Sequence, residues 1–167
     1  LIIVTKNILG QWVEEFWKFA PQLKVCPIET FQDFQKLNIV GDGKKGFQLE
    51  TFDVIITHRK IIEQTENIEA ASPNFFEVPF RRVVMDEFHE LCSMMNEQFG
   101  GGAPKGGSQA VEKIDMMGFY KTLKNLNKRF TWGITGTPAN LDYYNRTNPL
   151  FRLLGIDTGL MKLNNYR

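Results

Sequence analysis

Cysteine and histidine are scarce in this 167-residue chain, with two of each. Cys26 and Cys92 stand far apart, in no CxxC or Cys/His ligand spacing. That argues against a structural zinc and a disulfide framework, and it suits a reducing compartment. Long apolar runs are missing as well; none approaches the roughly 18–20 residues needed to cross a bilayer. The chain opens Leu1-Ile2-Ile3-Val4 without a basic segment, so a signal peptide is not expected. Charge of one sign is also lacking: the formal net charge is +1. A balanced total neither demands nor excludes a nucleic-acid partner, because one face can be basic while the whole is neutral. There is no internal repeat and no phosphate-cradling loop of the G-x-x-x-x-G-K-S/T type. Two glycine-rich stretches come near it. Gly41-Asp42-Gly43-Lys44-Lys45-Gly46 leads towards a strand rather than a helix, and Gly102–Ser108 has Lys105 on the wrong side of its glycines. Both read as surface loops.

What is present fits one domain with a real core. The hydrophobic share is 43% and the charged share 23%, ordinary for a globular protein. Phe outnumbers Tyr fourteen to four, and most of those rings are expected inside. Short apolar runs alternate with segments of helical period, the pattern of a parallel sheet covered by helices. Strands are expected at Leu1–Val4, Leu23–Cys26, Phe52–Thr57, Arg82–Met85 and Thr131–Ile134. A chain entering a strand at once is expected to be part of something longer. Thr5 and Asn7 are candidate caps for a helix over Ile8–Phe19, whose Leu9, Trp12, Val13, Phe16, Trp17 and Ala20 share one face and which Pro21 ends. Thr30 and Asp33 have the spacing of a capping box for a short helix through Leu37. Further helices are expected at Arg59–Gln64, after His89 to about Gln98, from Gln109 to about Asn127 with an interruption near Gly118, and at Leu150–Leu154. Glu66–Pro79 and Gly100–Gly107 read as loops.

The most informative stretch is Arg81-Arg82-Val83-Val84-Met85-Asp86-Glu87-Phe88-His89. A buried parallel strand delivers the residues at its C-terminal end to the crevice where such folds bind ligands. Two adjacent carboxylates there are costly to desolvate unless they meet a cation or a polar reactant. Metal-assisted phosphoryl transfer needs such a pair, one for the metal shell and one for the attacking water. Asp86 and Glu87 also suit the N-terminus of a following helix, and His89 alone suits an ordinary helix position.

A second strand end bears on that choice. Phe130-Thr131-Trp132-Gly133-Ile134 runs into Thr135-Gly136-Thr137-Pro138, placing two hydroxyls and a glycine at the same sheet edge. Such hydroxyls can hydrogen-bond to His89 or Asp86 and orient what the acids hold. Taken alone, the same residues make an ordinary turn. In combination, and in this order, the two stretches favour the catalytic reading.

With these motifs the chain resembles the first lobe of superfamily-two helicases, and among them the Swi/Snf-related DNA translocases. Leu1–Val4 with Leu9-Gly10-Gln11-Trp12-Val13-Glu14-Glu15-Phe16 is similar to the family's motif Ia, and Phe52–His58 to motif Ib. Asp86-Glu87-Phe88-His89 is similar to the D-E-x-H box of motif II, and Thr135–Pro138 with Asn140 to motif III; Leu150–Ile156 is also similar. The resemblance implies an α/β, parallel-sheet RecA-like lobe with helices on both faces, spanning residues 1–167 and lacking the phosphate-loop strand. It implies ATP and Mg²⁺ in the intact protein, with Asp86 on the metal and Glu87 on the water. His89, Thr135, Gly136 and Thr137 would couple nucleotide state to movement. Lys6, Asn7, Thr57 and His58 would touch nucleic-acid phosphates. The implied partners are double-stranded DNA, a second RecA-like lobe in the same protein, and chromatin or protein partners. The implied location is nuclear, with a viral source left open. The chain departs from the family after the box, where Glu90-Leu91-Cys92 replaces a basic residue and a Lys-Asn pair. Two other readings stand beside the motor: a lobe that binds nucleic acid or protein without hydrolysis, and an RNA helicase or viral nucleoside triphosphatase of the same superfamily. Without its phosphate-loop strand, Thr131–Ile134 is expected to show an exposed or abnormally paired edge.

Overall fold

The structure is a computed structural model that describes residues 1–37, 51–66, 75–89, 116–136 and 154–155. Its centre is a five-stranded sheet: β1 (Ile2–Val4), β2 (Val25–Ile28), β3 (Val54–His58), β4 (Phe80–Met85) and β5 (Lys128–Gly133). The order across the sheet is β2-β3-β1-β4-β5, and every pairing is parallel. Among the described residues, four α-helices accompany it: α1 (Leu9–Phe19), α2 (Phe31–Lys36), α3 (Arg59–Glu66) and α4 (Met116–Asn125).

Strand alternation divides the core between the two faces. Ile2 and Val4 point to one side, where Leu9 and Val13 of α1 bury them together with Ile56. Ile3 points to the other, among Phe34 of α2, Ile61 and Ile62 of α3, and Phe119 and Leu123 of α4. Each such fully buried side chain is worth about 1.5–3 kcal/mol over its exposed state, which far exceeds any propensity term. That explains how α2 persists at six residues. Phe34 is fully buried and its ring stacks on Phe31 and Phe75, at centroid distances of 6.0 and 5.0 Å. Its first turn carries the expected capping box: Asp33 N–H donates to Thr30 Oγ1 at 3.2 Å, and Thr30 N–H to Asp33 Oδ2 at 3.0 Å. At the far end of α4, the Lys128 ammonium donates to the carbonyls of Leu123 and Lys124 in the last turn and of Leu126 just beyond it.

Several boundaries differ from expectation, each for a local reason. β2 runs through Pro27 instead of stopping before it, because among the described residues β2 pairs only with β3, and a missing N–H is tolerated at such an edge. β4 and β5 begin two and three residues earlier than expected, at Phe80 and Lys128, and pair at that point. α4 passes through Gly118 without interruption. Neither Thr5 nor Asn7 caps α1. Thr5 precedes a 3-10 turn over Lys6–Ile8 and makes no side-chain cap, and Ile8 is the residue before α1. Trp17 is 65% exposed although it falls on the predicted apolar face. The helix after His89, the Gly100–Gly107 stretch, the start of the Gln109 helix, most of Leu150–Leu154, Gly41–Gly46, Gly102–Ser108 and Cys92 lie outside the described residues. Among the described residues, no helix is long and apolar enough to cross a membrane.

β5 lies at the end of the sheet and pairs only with β4 among the described residues. Phe130 and Trp132 on it and Ile134 just past its end occupy alternate positions and are 44%, 52% and 40% exposed. The Arg82 guanidinium lies 5.3 Å from the centre of the Trp132 ring.

Candidate functional site

β4 ends at Met85, and its parallel neighbours hold the turn that follows. Asp86 N–H donates to Ile3 O of β1 at 2.9 Å. On the other side Ile134 N–H donates to Met85 O at 2.8 Å, and Phe88 N–H donates back to Ile134 O at 2.9 Å. The acidic turn is thereby stitched to both strands at once. Phe88, 2% exposed, lies against Gly133, where a Cβ would stand 2.7 Å from its ring. No larger residue fits at 133 without moving Phe88.

Glu87 occupies the left-handed region at φ 49, a conformation uncommon for a residue with a side chain. Its N–H donates to Asp86 Oδ1 at 2.9 Å. The other oxygen, Asp86 Oδ2, accepts from the indole N–H of Trp12 on α1 at 2.7 Å. His89 Nδ1 lies 2.8 Å from Thr135 Oγ1 and 3.2 Å from Glu87 Oε2. Two strand ends 46 residues apart are therefore joined through side chains: Thr135 to His89, and His89 to Glu87. Gly136 is exposed next to Thr135, while Thr137, Pro138 and Asn140 lie outside the described residues.

The four residues expected to touch phosphates separate into two pairs. Lys6 and Asn7 are exposed on the 3-10 turn that leaves β1, at the same rim of the sheet as Asp86. Thr57 is fully buried, and its hydroxyl donates to Ile28 O at 3.0 Å. His58 is 7% exposed, with Nε2–H donating to Glu29 O at 2.9 Å. β3 is an interior strand of the described sheet, and the polar atoms of these two side chains meet carbonyls at the end of the neighbouring β2 segment.

Among the described residues, no cluster of three or more His, Cys, Asp or Glu can hold a metal ion. A hydrated Mg²⁺ does not need one, since it takes most of its shell from water and phosphates and only one or two carboxylates from protein. Asp86 fits that requirement, because each of its oxygens keeps a lone pair beyond the one donor it accepts. A cavity of about 560 Å³ lies at the opposite rim, between the N-terminal ends of β1, β3 and β4, where Leu1, Phe52, Asp53, Pro79 and Arg81 line it. It is remote from the acids and carries none of the expected site residues.

Sequence reasoning missed two participants. Trp12 belongs to the apolar face of α1 and to the stretch similar to motif Ia, but its bond to the acidic box was not anticipated; the available signal was that a half-buried indole needs an acceptor for its N–H. Gly133 was read as part of a strand, although glycine inside a strand marks a close approach.

No family model matches the chain. Over 140 residues, 83% of the chain, it is 27% identical to the ATP-dependent helicase fft1 of Schizosaccharomyces pombe. Over 106 residues, 59% of the chain, it is 32% identical to the ATP-dependent helicase FUN30 of Saccharomyces cerevisiae. In fold it aligns over 95% of its length, with a TM-score of 0.53 and 22% identity, to the Sulfolobus solfataricus SWI2/SNF2 ATPase core solved in complex with dsDNA. The chain resembles a Swi2/Snf2 ATPase lobe. The five parallel strands with helices on both faces are the RecA-like arrangement of that lobe. The chain spans 12% and 8% of the two yeast helicases and 25% of the Sulfolobus chain, so it corresponds to a small part of each.

Proposed function

We propose that this chain is part of the ATP-hydrolysing motor of a Swi2/Snf2-type protein that moves on duplex DNA, acting in the nucleus on chromatin or DNA. The observation that carries the reading is the convergence of Asp86, Glu87, His89 and Thr135 at the C-terminal rim of one sheet. Asp86 would hold Mg²⁺ through its carboxylate, and the ion when bound would supply Lewis-acid polarisation of the phosphate oxygens. Glu87 orients and takes the proton of the attacking water. His89 holds Glu87 on one side and Thr135 on the other, so a shift of either strand end is felt at the carboxylate. The exposed Lys6 and Asn7 would grip DNA phosphates, and a second RecA-like lobe of the intact protein would complete the nucleotide site. The Swi2/Snf2 neighbour bound to dsDNA supports DNA as the polymer, and the two helicases support ATP as the fuel.

The test is Glu87→Gln in the intact protein, which is expected to keep ATP binding and to abolish DNA-stimulated hydrolysis; undiminished turnover would remove Glu87 from the mechanism. The isolated 167-residue fragment, which has no phosphate-binding loop, is expected to show no ATPase above background. Stimulation by RNA in preference to duplex DNA would transfer the reading to an RNA helicase, and absence of any hydrolysis by the intact wild type would leave a binding lobe.

A further inference from the structure

We infer that Trp12 is a positioning residue for Asp86, tying the carboxylate of the acidic box to helix α1. This rests on the reading of Asp86 given above. The indole N–H reaches Asp86 Oδ2 at 2.7 Å across 74 residues of sequence, and Glu87 N–H holds Oδ1 at 2.9 Å. One donor on each oxygen fixes the plane of the carboxylate. The bond to Trp12 is charge-assisted, a class roughly twice as strong as neutral pairs.

The indole is itself anchored. Its ring is tilted against Phe16 at 6.2 Å, and the neighbouring Leu9 and Val13 are buried against β1 and β3. A half-buried tryptophan needs some acceptor, so the bond could serve α1 alone. Its choice of acceptor argues for more: the indole takes a side-chain oxygen of the acidic box rather than a backbone carbonyl. Without the N–H, Oδ2 would lose the group that sets its direction. A metal-facing carboxylate left free to rotate binds its ion less tightly, typically by ten- to a hundredfold.

The experiment uses the intact protein and Mn²⁺ as a spin probe for Mg²⁺, titrated in the presence of ADP. Trp12→Phe keeps the ring and removes only the N–H. Its apparent Mn²⁺ dissociation constant is expected to rise about tenfold or more, with ADP affinity in EDTA unchanged. Asp86→Asn is expected to lose more, and the double variant to bind no more weakly than Asp86→Asn alone, because both act through one contact. Wild-type Mn²⁺ affinity in Trp12→Phe, alongside a loss in Asp86→Asn, would overturn the inference and leave the acidic box standing. Wild-type affinity in Asp86→Asn would overturn the reading of the box itself, and the inference with it. Where Trp12→Phe unfolds the protein, benzothienylalanine at position 12 has the same shape without the N–H, and the same outcomes decide.

Discussion

The two ends of the sheet are built on opposite plans. At the β2 end, polar groups are consumed internally: Thr57 and His58 donate to carbonyls of the β2 segment, Thr30 and Asp33 cap α2, and Pro27 occupies the edge strand. At the β5 end, the strand has one described neighbour, aromatic rings face outward, and the polar side chains of the turn beside it bond to one another. An edge that carries proline is protected against pairing, whereas one lined by Phe130 and Trp132 invites it. Closed polar groups give stability, and groups gathered at an open rim are those to which the proposed function assigns the chemistry. A mutation at the first end should therefore be felt in unfolding alone, and one at the second in both unfolding and activity.

The largest effect that tests this contrast is expected from Gly133→Ala. The new Cβ would stand 2.7 Å from the Phe88 ring and must displace it, at a cost of about 1–3 kcal/mol typical of an overpacked site. Because Phe88 lies between Glu87 and His89, hydrolysis by the intact protein should fall as well. A stable and fully active Gly133→Ala would erase the distinction between the two ends. Thr57→Val comes next. It keeps the shape of a fully buried side chain but removes the donor to Ile28 O, an expected loss of about 1–2 kcal/mol in urea melts with turnover per folded molecule unchanged. Reduced DNA stimulation at full stability would instead return Thr57 to the nucleic-acid contact.

The smallest effect belongs to α2. Thr30→Ala is expected to cost about 1 kcal/mol. The Thr30 hydroxyl and then Lys36 hold the Asp33 carboxyl below its ordinary range. With the folded value depressed, its stabilisation is complete above about pH 4 and fades as pH falls through the folded value. With its side chain 37% exposed and screened by solvent, it should give only a shallow acid slope, absent in Asp33→Asn; an equal slope in that variant would remove Asp33 from the cap.

Much of this architecture was legible from periodicity alone, for a physical reason. Runs such as Ile2-Ile3-Val4 and Val54-Ile55-Ile56 are buried on both faces, which a parallel sheet requires. Boundaries were less legible where tertiary pairing overrides composition: Lys128 and Arg129 enter β5 because β4 is there to pair with them. The site divided similarly. The closeness of His89 and Thr135 could be anticipated from two strand ends, but the bond from Trp12 to Asp86 depends on how α1 crosses the sheet, which no local pattern specifies. The carbonyl partners of Thr57 and His58 were not legible, because a polar residue at the end of a strand reads the same whether it faces solvent or a neighbouring carbonyl.

The left-handed backbone at Glu87 has a mechanical consequence. In an extended strand, two adjacent acids would simply be sent to opposite faces. Here the chain reverses between them, and each answers to a different element: Asp86 to the helix that follows the first strand, Glu87 to the end of the last strand by way of a histidine. A tug on that helix and a slip of that strand thus arrive on separate carboxylates of two consecutive residues.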